Sequence, residues 1–352
     1  MHRKDSPLAT RSRELKGTPL GQTMEQMSRF AARQSYRVHD EVLSNPISRE
    51  KLAQHRPDLD GDQQQMMGAL ESKGYSMMPV TDFFTGEPWF SWDDLKARGQ
   101  RFIEGAEAQI AKRAEKEKAR AEKEKARAEK EKARLEKGKA PKAEKGLGKG
   151  DYIVRLLGKD VPPLGGDDPW LRLGVSDRLL DIVNSYFGLW SKLTYVDLWY
   201  TPPAAPGVPR VSSQRWHRDY NDERLIKVFL YLVDVNEDTG PLEYVAGSTV
   251  DGPYGDAWPW KPLSNDLYPP NDEFEQKIPK SAQVAFTGPQ GTMCLCNTSG
   301  FHRGGYATGD RPRVMAVYNY STPASLSALT LRNFKPDVDL DGLSEQAAFA
   351  LT

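Results

Sequence analysis

Three side chains in this 352-residue chain have the types and spacing of a metal centre. His217 and Asp219 stand two apart in Gln214-Arg215-Trp216-His217-Arg218-Asp219-Tyr220, and His302 follows 85 residues later. On an extended segment, positions i and i+2 share a face. Two imidazoles and one carboxylate on facing strands suit the facial triad that holds Fe(II) and leaves adjacent positions open for chemistry. The His-x-Asp string alone is a weak signal, because a surface histidine beside a solvated aspartate reads the same way. The same set could hold zinc in a hydrolase, or the fold could be a non-catalytic binding or assembly module. His2, His39 and His55 lie in a polar stretch and are expected to carry no chemistry. Cys294 and Cys296 are too few to close a structural zinc site. At that spacing they read as core thiols rather than extra ligands, and they fit a reducing cytoplasm.

The elements that must position these residues come from the second half of the chain. Leu193–Tyr200, Leu225–Val233, Leu242–Val245, Gln283–Phe286, Thr292–Cys296 and Val314–Tyr320 are rich in β-branched and aromatic residues and read as strands. Asp238-Thr239-Gly240-Pro241 and Gly288-Pro289-Gln290-Gly291 are turn signals between them. Many short strands with few helices between them predict an antiparallel barrel or sandwich. Ahead of them, Ser176 caps a helix that ends at Gly188, Gln64–Leu70 reads as a helix before a short strand at 74–80, and Ser91-Trp92-Asp93-Asp94 opens a helical run over Leu95–Ile110.

That run enters a repeat. Residues 114–120, 121–127 and 128–134 each read Ala-Glu-Lys-Glu-Lys-Ala-Arg. The period is that of a coiled coil, but its a and d positions offer only alanine, and opposite charges three and four apart support a solvated helix instead. Residues 107–149 hold 16 Lys/Arg and 9 Asp/Glu, so the net charge of zero joins a basic block to an acidic globule. Acidic residues interleaved throughout argue against a phosphate-tracking stripe and hence against nucleic acid. No apolar run approaches the ~20 residues of a membrane span, and no apolar stretch follows the first residues as a secretory signal would require. The expected organisation is a polar, mobile arm over 1–62, a catalytic domain over 63–325 interrupted by the charged helix and a Gly/Lys linker at 107–150, and a tail over 326–352.

Around the triad the motifs come in a fixed order. Trp216-His217-x-Asp219 is followed by Gly240-Pro241-Leu242-x-x-Val245-x-Gly247-Ser248, then Gly291-Thr292, His302, and Arg311-Pro312-Arg313 eleven residues beyond. This order resembles the phytanoyl-CoA dioxygenase-like family of Fe(II)/2-oxoglutarate oxygenases, which includes ectoine hydroxylases, from about Leu70 to about Tyr320. The resemblance implies a double-stranded β-helix (a cupin-like jelly roll) with flanking helices. It implies that His217, Asp219 and His302 bind Fe(II), that Arg313 pairs with the distal carboxylate of 2-oxoglutarate, and that O2 is consumed in hydroxylating a small molecule. Arg311, on the same face, is the competing arginine; a guanidinium fork suits a carboxylate in either case. Thr249 stands where many members carry histidine, and Asp251 to Pro279 is longer than the usual connection. Its aromatic residues, Tyr254, Trp258 and Trp260 among them, suit either a lid over a substrate pocket or a cluster on the barrel's outside.

Overall fold

A computed structural model describes residues 35–135, 153–155, 164–166, 168–204, 207, 209–219, 221–258, 268–325 and 342–352. The first 34 residues of the expected arm, the Gly/Lys linker at 138–150 and Trp260 lie outside the described residues, as does 326–341 of the tail.

Strict alternation along four long strands explains the architecture. On β3 (Lys192–Thr201), β4 (Leu225–Tyr231), β7 (Thr292–Asn297) and β9 (Arg313–Ser321), one set of positions packs against helices: Val196, Leu198, Ile226, Val228, Leu230, Leu295, Ala316 and Tyr318. The intervening set, Tyr195, Trp199, Phe229, Tyr231, Cys294, Cys296, Met315 and Val317, faces a second sheet. A strand buried on both faces must be apolar at nearly every position, which is why these segments read as continuous apolar runs.

With β1 (Tyr75–Pro79) and β2 (Val154–Arg155), these strands form an antiparallel six-stranded sheet in the order β1-β7-β4-β9-β3-β2. β6 (Gln283–Phe286), β5 (Leu242–Val245) and β8 (His302–Arg303) form a three-stranded sheet. Leu242, Tyr244 and Phe286 of that sheet close the inter-sheet core. The fold is a double-stranded β-helix.

Helices cover the outer face of the larger sheet. The Asp177–Phe187 helix and the Gly61–Lys73 helix end in left-handed Gly188 and Gly74, the residue type such caps favour. Trp92–Leu135 is one continuous helix of 44 residues, ~66 Å at 1.5 Å per residue. Leu95, Phe102, Ile103 and Ala106 bury one stripe of its first turns, while Ala114, Glu115, Lys116, Ala119 and Glu122 are exposed. No helix among the described residues is long and apolar enough to cross a membrane.

Two segments outside the expected 63–325 domain contain packed helices. Within 1–62, His39–Gln54 is helical and packs through polar residues: Asn45 and Ser48 are fully buried. Asn45 Oδ1 accepts from Ala324 N at 3.1 Å, and Tyr36 Oη donates to Asp222 at 2.9 Å. Asp222 also accepts from Thr322 N and Oγ1 at 2.8 and 2.7 Å. Within 326–352, Glu345–Leu351 is a helix with Ala347, Ala350 and Leu351 in the core.

Candidate metal centre

His217 reaches the smaller sheet through its backbone. Its N–H donates to the carbonyl of His302 at 3.0 Å, and the His302 N–H returns the bond at 3.0 Å. Paired residues in an antiparallel ladder project to the same side, so the two rings stand 4.2 Å apart between centroids. The Asp219 N–H donates to the Thr298 carbonyl at 2.9 Å. That holds the carboxylate on the same side, with Oδ2 3.8 Å from His302 Nε2. One ligand atom from each of His217, Asp219 and His302 lies within 4.8 Å of the others.

Both imidazoles are anchored alike. His217 Nδ1 donates to the Arg215 carbonyl at 2.8 Å, and His302 Nδ1 donates to the Gly300 carbonyl at 3.0 Å. A proton fixed on Nδ1 leaves the Nε2 lone pair as the ligand. Gly300 is required here, since a Cβ would lie 2.1 Å from Tyr244 Oη.

The charge states suit a divalent ion. Burial pushes the His302 imidazole down to about 3, with His217 adding to the shift, and burial lowers His217 as well. Both rings are therefore neutral at pH 7. Burial alone would raise the Asp219 carboxyl, but the Lys227 ammonium and the two imidazoles outweigh it and hold the acid well below the usual carboxylate range. Metal ligands must be deprotonated before an ion can bind; these three already are.

Arg313 opens β9 and is 2% exposed, with Nη1 donating to the Gly240 carbonyl at 2.7 Å. It shares the inter-sheet face with Met315 and Val317. Arg311 precedes the strand and is exposed. The carbonyl at Gly240 depends on glycine: φ is +71°, and a Cβ would meet Ala307 N at 2.5 Å.

The aromatic segment divides. Tyr254 and Trp258 pack on Trp216, Val245, Phe274 and Phe301. Trp216, the sequence neighbour of His217, belongs to this cluster. Among the described residues of the segment, Tyr268 reaches the site, its ring 5.6 Å from that of His217 and beneath the Arg215 guanidinium at 5.2 Å. Cys294 and Cys296 are fully buried, and burial pushes the Cys294 thiol up to about 12, so they are core thiols.

Lys227 is a residue that the sequence expectations did not include. Its Nζ lies 2.5 Å from Asp219 Oδ2, with the side chain 13% exposed. The signal was present in Leu225-Ile226-Lys227-Val228-Phe229-Leu230-Tyr231, where one charge interrupts a strand that is otherwise wholly apolar.

The model of a known family, described as phytanoyl-CoA dioxygenase (PhyH), matches residues 93–315. No curated protein matches the chain. Among solved structures, EctD from S. alaskensis with 2-oxoglutarate and 5-hydroxyectoine is 16% identical, with 77% of this chain and 80% of that one covered and a TM-score of 0.45. The epimerase SnoN in complex with Fe3+, alpha ketoglutarate and nogalamycin RO is 14% identical over 80% of this chain and 91% of its own, at a TM-score of 0.45. AviO1 from Streptomyces viridochromogenes Tue57 is 17% identical over 76% and 98%, at 0.42. The family match spans well over half of the chain and takes in all three donors and Arg313; the chain belongs to the phytanoyl-CoA dioxygenase (PhyH) family.

Proposed function

We propose that this protein is an Fe(II)- and 2-oxoglutarate-dependent oxygenase whose reaction hydroxylates a C–H bond of a small molecule. The observation that carries the reading is the donor set. Two neutral imidazoles and one ionised carboxylate converge from one side, which is the chemistry of a facial Fe(II) site. His217, Asp219 and His302 would hold the iron, which with 2-oxoglutarate and O2 would supply the oxidising power, the co-substrate leaving as succinate and CO2.

The chain's own residues bind, orient and seal. His217 and His302 present Nε2 because their Nδ1 protons are held by backbone carbonyls. Arg313 offers a buried cation between the sheets for the distal carboxylate, and a guanidinium keeps that charge at any working pH. Phe229, Tyr231, Met315 and Val317 keep water from the space between the sheets, where electrostatic contacts are strongest. Tyr268 stands beside His217, where it can contact a substrate. Asp219 fills the carboxylate position that a halide would need, which supports hydroxylation over halogenation.

The test is anaerobic addition of Fe(II) and 2-oxoglutarate. A metal-to-ligand charge-transfer absorption band is expected, followed on admission of O2 by substrate-stimulated succinate release and by label from 18O2 in the product. A site that hydrolyses its substrate with Zn(II) and gives no band would overturn the reading.

A further inference from the structure

Lys227 occupies an unusual place. Alternation along β4 puts it on the inter-sheet face with Phe229 and Tyr231, and its cross-strand neighbours are Cys296 and Asn319. A lysine is costly to bury unless its charge is compensated, and here Asp219 compensates it. The oxygen involved matters most. Lys227 Nζ holds Oδ2 of Asp219, and Oδ2 is also the atom that faces His302 Nε2. The ammonium therefore sits on the oxygen that a metal ion in this donor set would use.

Charge counting sharpens the conflict. Lys227 and Asp219 form an ion pair, so the one carboxylate of the donor set is already matched by a cation. A divalent ion alone would leave two uncompensated positive charges in a nearly closed interior, beside a like-charged ammonium. An acid dianion arriving with the ion would cancel the ion's two charges.

We propose that Lys227 makes metal loading conditional on an acid ligand: it holds Asp219 Oδ2 in the metal-free site, yields that oxygen to the ion, and passes to a carboxylate of the acid that binds beside it. This rests on the iron and 2-oxoglutarate reading above and names the residue that joins the two. Lys227 acts as a positioning residue, through Asp219 first and through the acid afterwards. By linkage, whatever factor the acid adds to metal affinity, the metal adds to acid affinity.

The experiment is an anaerobic Mn(II) titration of the full-length protein with and without 2-oxoglutarate, in the wild type and in Lys227→Met, Lys227→Gln and Lys227→Arg. In the wild type, 2-oxoglutarate should tighten Mn(II) at least tenfold. Lys227→Met should bind Mn(II) alone at least tenfold more tightly than the wild type and lose most of the coupling, and Lys227→Arg should retain it. Lys227→Gln carries the same expectation as Lys227→Met should the latter fail to fold. Weaker Mn(II) binding by the uncharged variants, or an unchanged coupling factor, overturns the proposal and leaves Lys227 as a simple support for Asp219. The Fe(II)/2-oxoglutarate absorption band separates the two layers. Its absence from the wild type refutes the oxygenase reading itself, whereas a band in every variant with equal coupling refutes only the role of Lys227.

Discussion

His217 and His302 hydrogen-bond to each other through their main chains in both directions, at 3.0 Å each way. The pair of ligands is thus set by a backbone ladder and does not depend on the side chains it carries.

Removing either imidazole should therefore spare the fold. His217→Ala and His302→Ala are each expected to abolish Fe(II)-dependent succinate formation and to weaken Mn(II) binding by more than tenfold, with the far-UV circular dichroism unchanged. Full turnover by either variant would remove it from the donor set.

Acid should destabilise the metal-free protein through His302. Its folded pKa of about 3 lies below the ordinary 6.5, so the unfolded chain binds a proton that the folded one refuses. Stability is then fully present above 6.5 and is lost as pH falls toward 3. Asp222 acts in the opposite sense: burial raises it from 3.8 to about 6, so its contribution is present below 3.8 and lost as pH rises through 6. Between 3.8 and about 6 the two contributions oppose each other in urea unfolding in EDTA, and single variants should separate them. His302→Asn should leave stability falling as pH rises there, and Asp222→Asn should leave it rising.

The two arginines near the start of β9 should separate cleanly. Truncating one member of a buried, hydrogen-bonded charge pair typically costs ~2–5 kcal/mol. Arg313→Ala should raise the 2-oxoglutarate concentration needed for half-maximal turnover at least tenfold, with Mn(II) affinity in its absence little changed. Arg311→Ala, at an exposed position, should match the wild type. The reverse pattern would move the co-substrate contact to Arg311.

The charged repeat should be shortened without harm. The buried stripe of its helix ends near Ala106, and removing residues 121–134 takes out two whole heptads, turning the flanks by only ~40°. Melting temperature and succinate formation should stay within error of the full-length protein. A folded deletion that loses turnover would show that the repeat helps to build the site.

The strands were legible because sheet faces impose a period of two and strong turn signals bound each run. The donor set was legible because its three members follow in fixed order. What escaped depended on tertiary choices. Lys227 was absorbed into its strand, since alternation places it on a face without saying that Asp219 stands opposite. Tyr254, Trp258 and Tyr268 look equivalent in a Pro-rich segment, and only the folded path brings Tyr268 over His217. The Ser44–Gln54 helix inverts the usual pattern. It buries Asn45 and Ser48 through hydrogen bonds while Ile47, like the preceding Val38, Val42 and Leu43, stays exposed, so hydrophobic periodicity had nothing to find.

The Asp222 carboxylate ties three distant stretches together: Tyr36, the loop that carries Asp219, and Thr322 at the end of the larger sheet. A recombinant boundary chosen at the first clear helix, Gly61–Lys73, would cut away Tyr36 and Asn45. It would leave a buried acid three residues from Asp219 short of a donor, and the Ala324 amide without its acceptor. For anyone trimming this protein for crystals or expression, the polar stretch from residue 35 onward is hydrogen-bonded into the fold and belongs inside the cut.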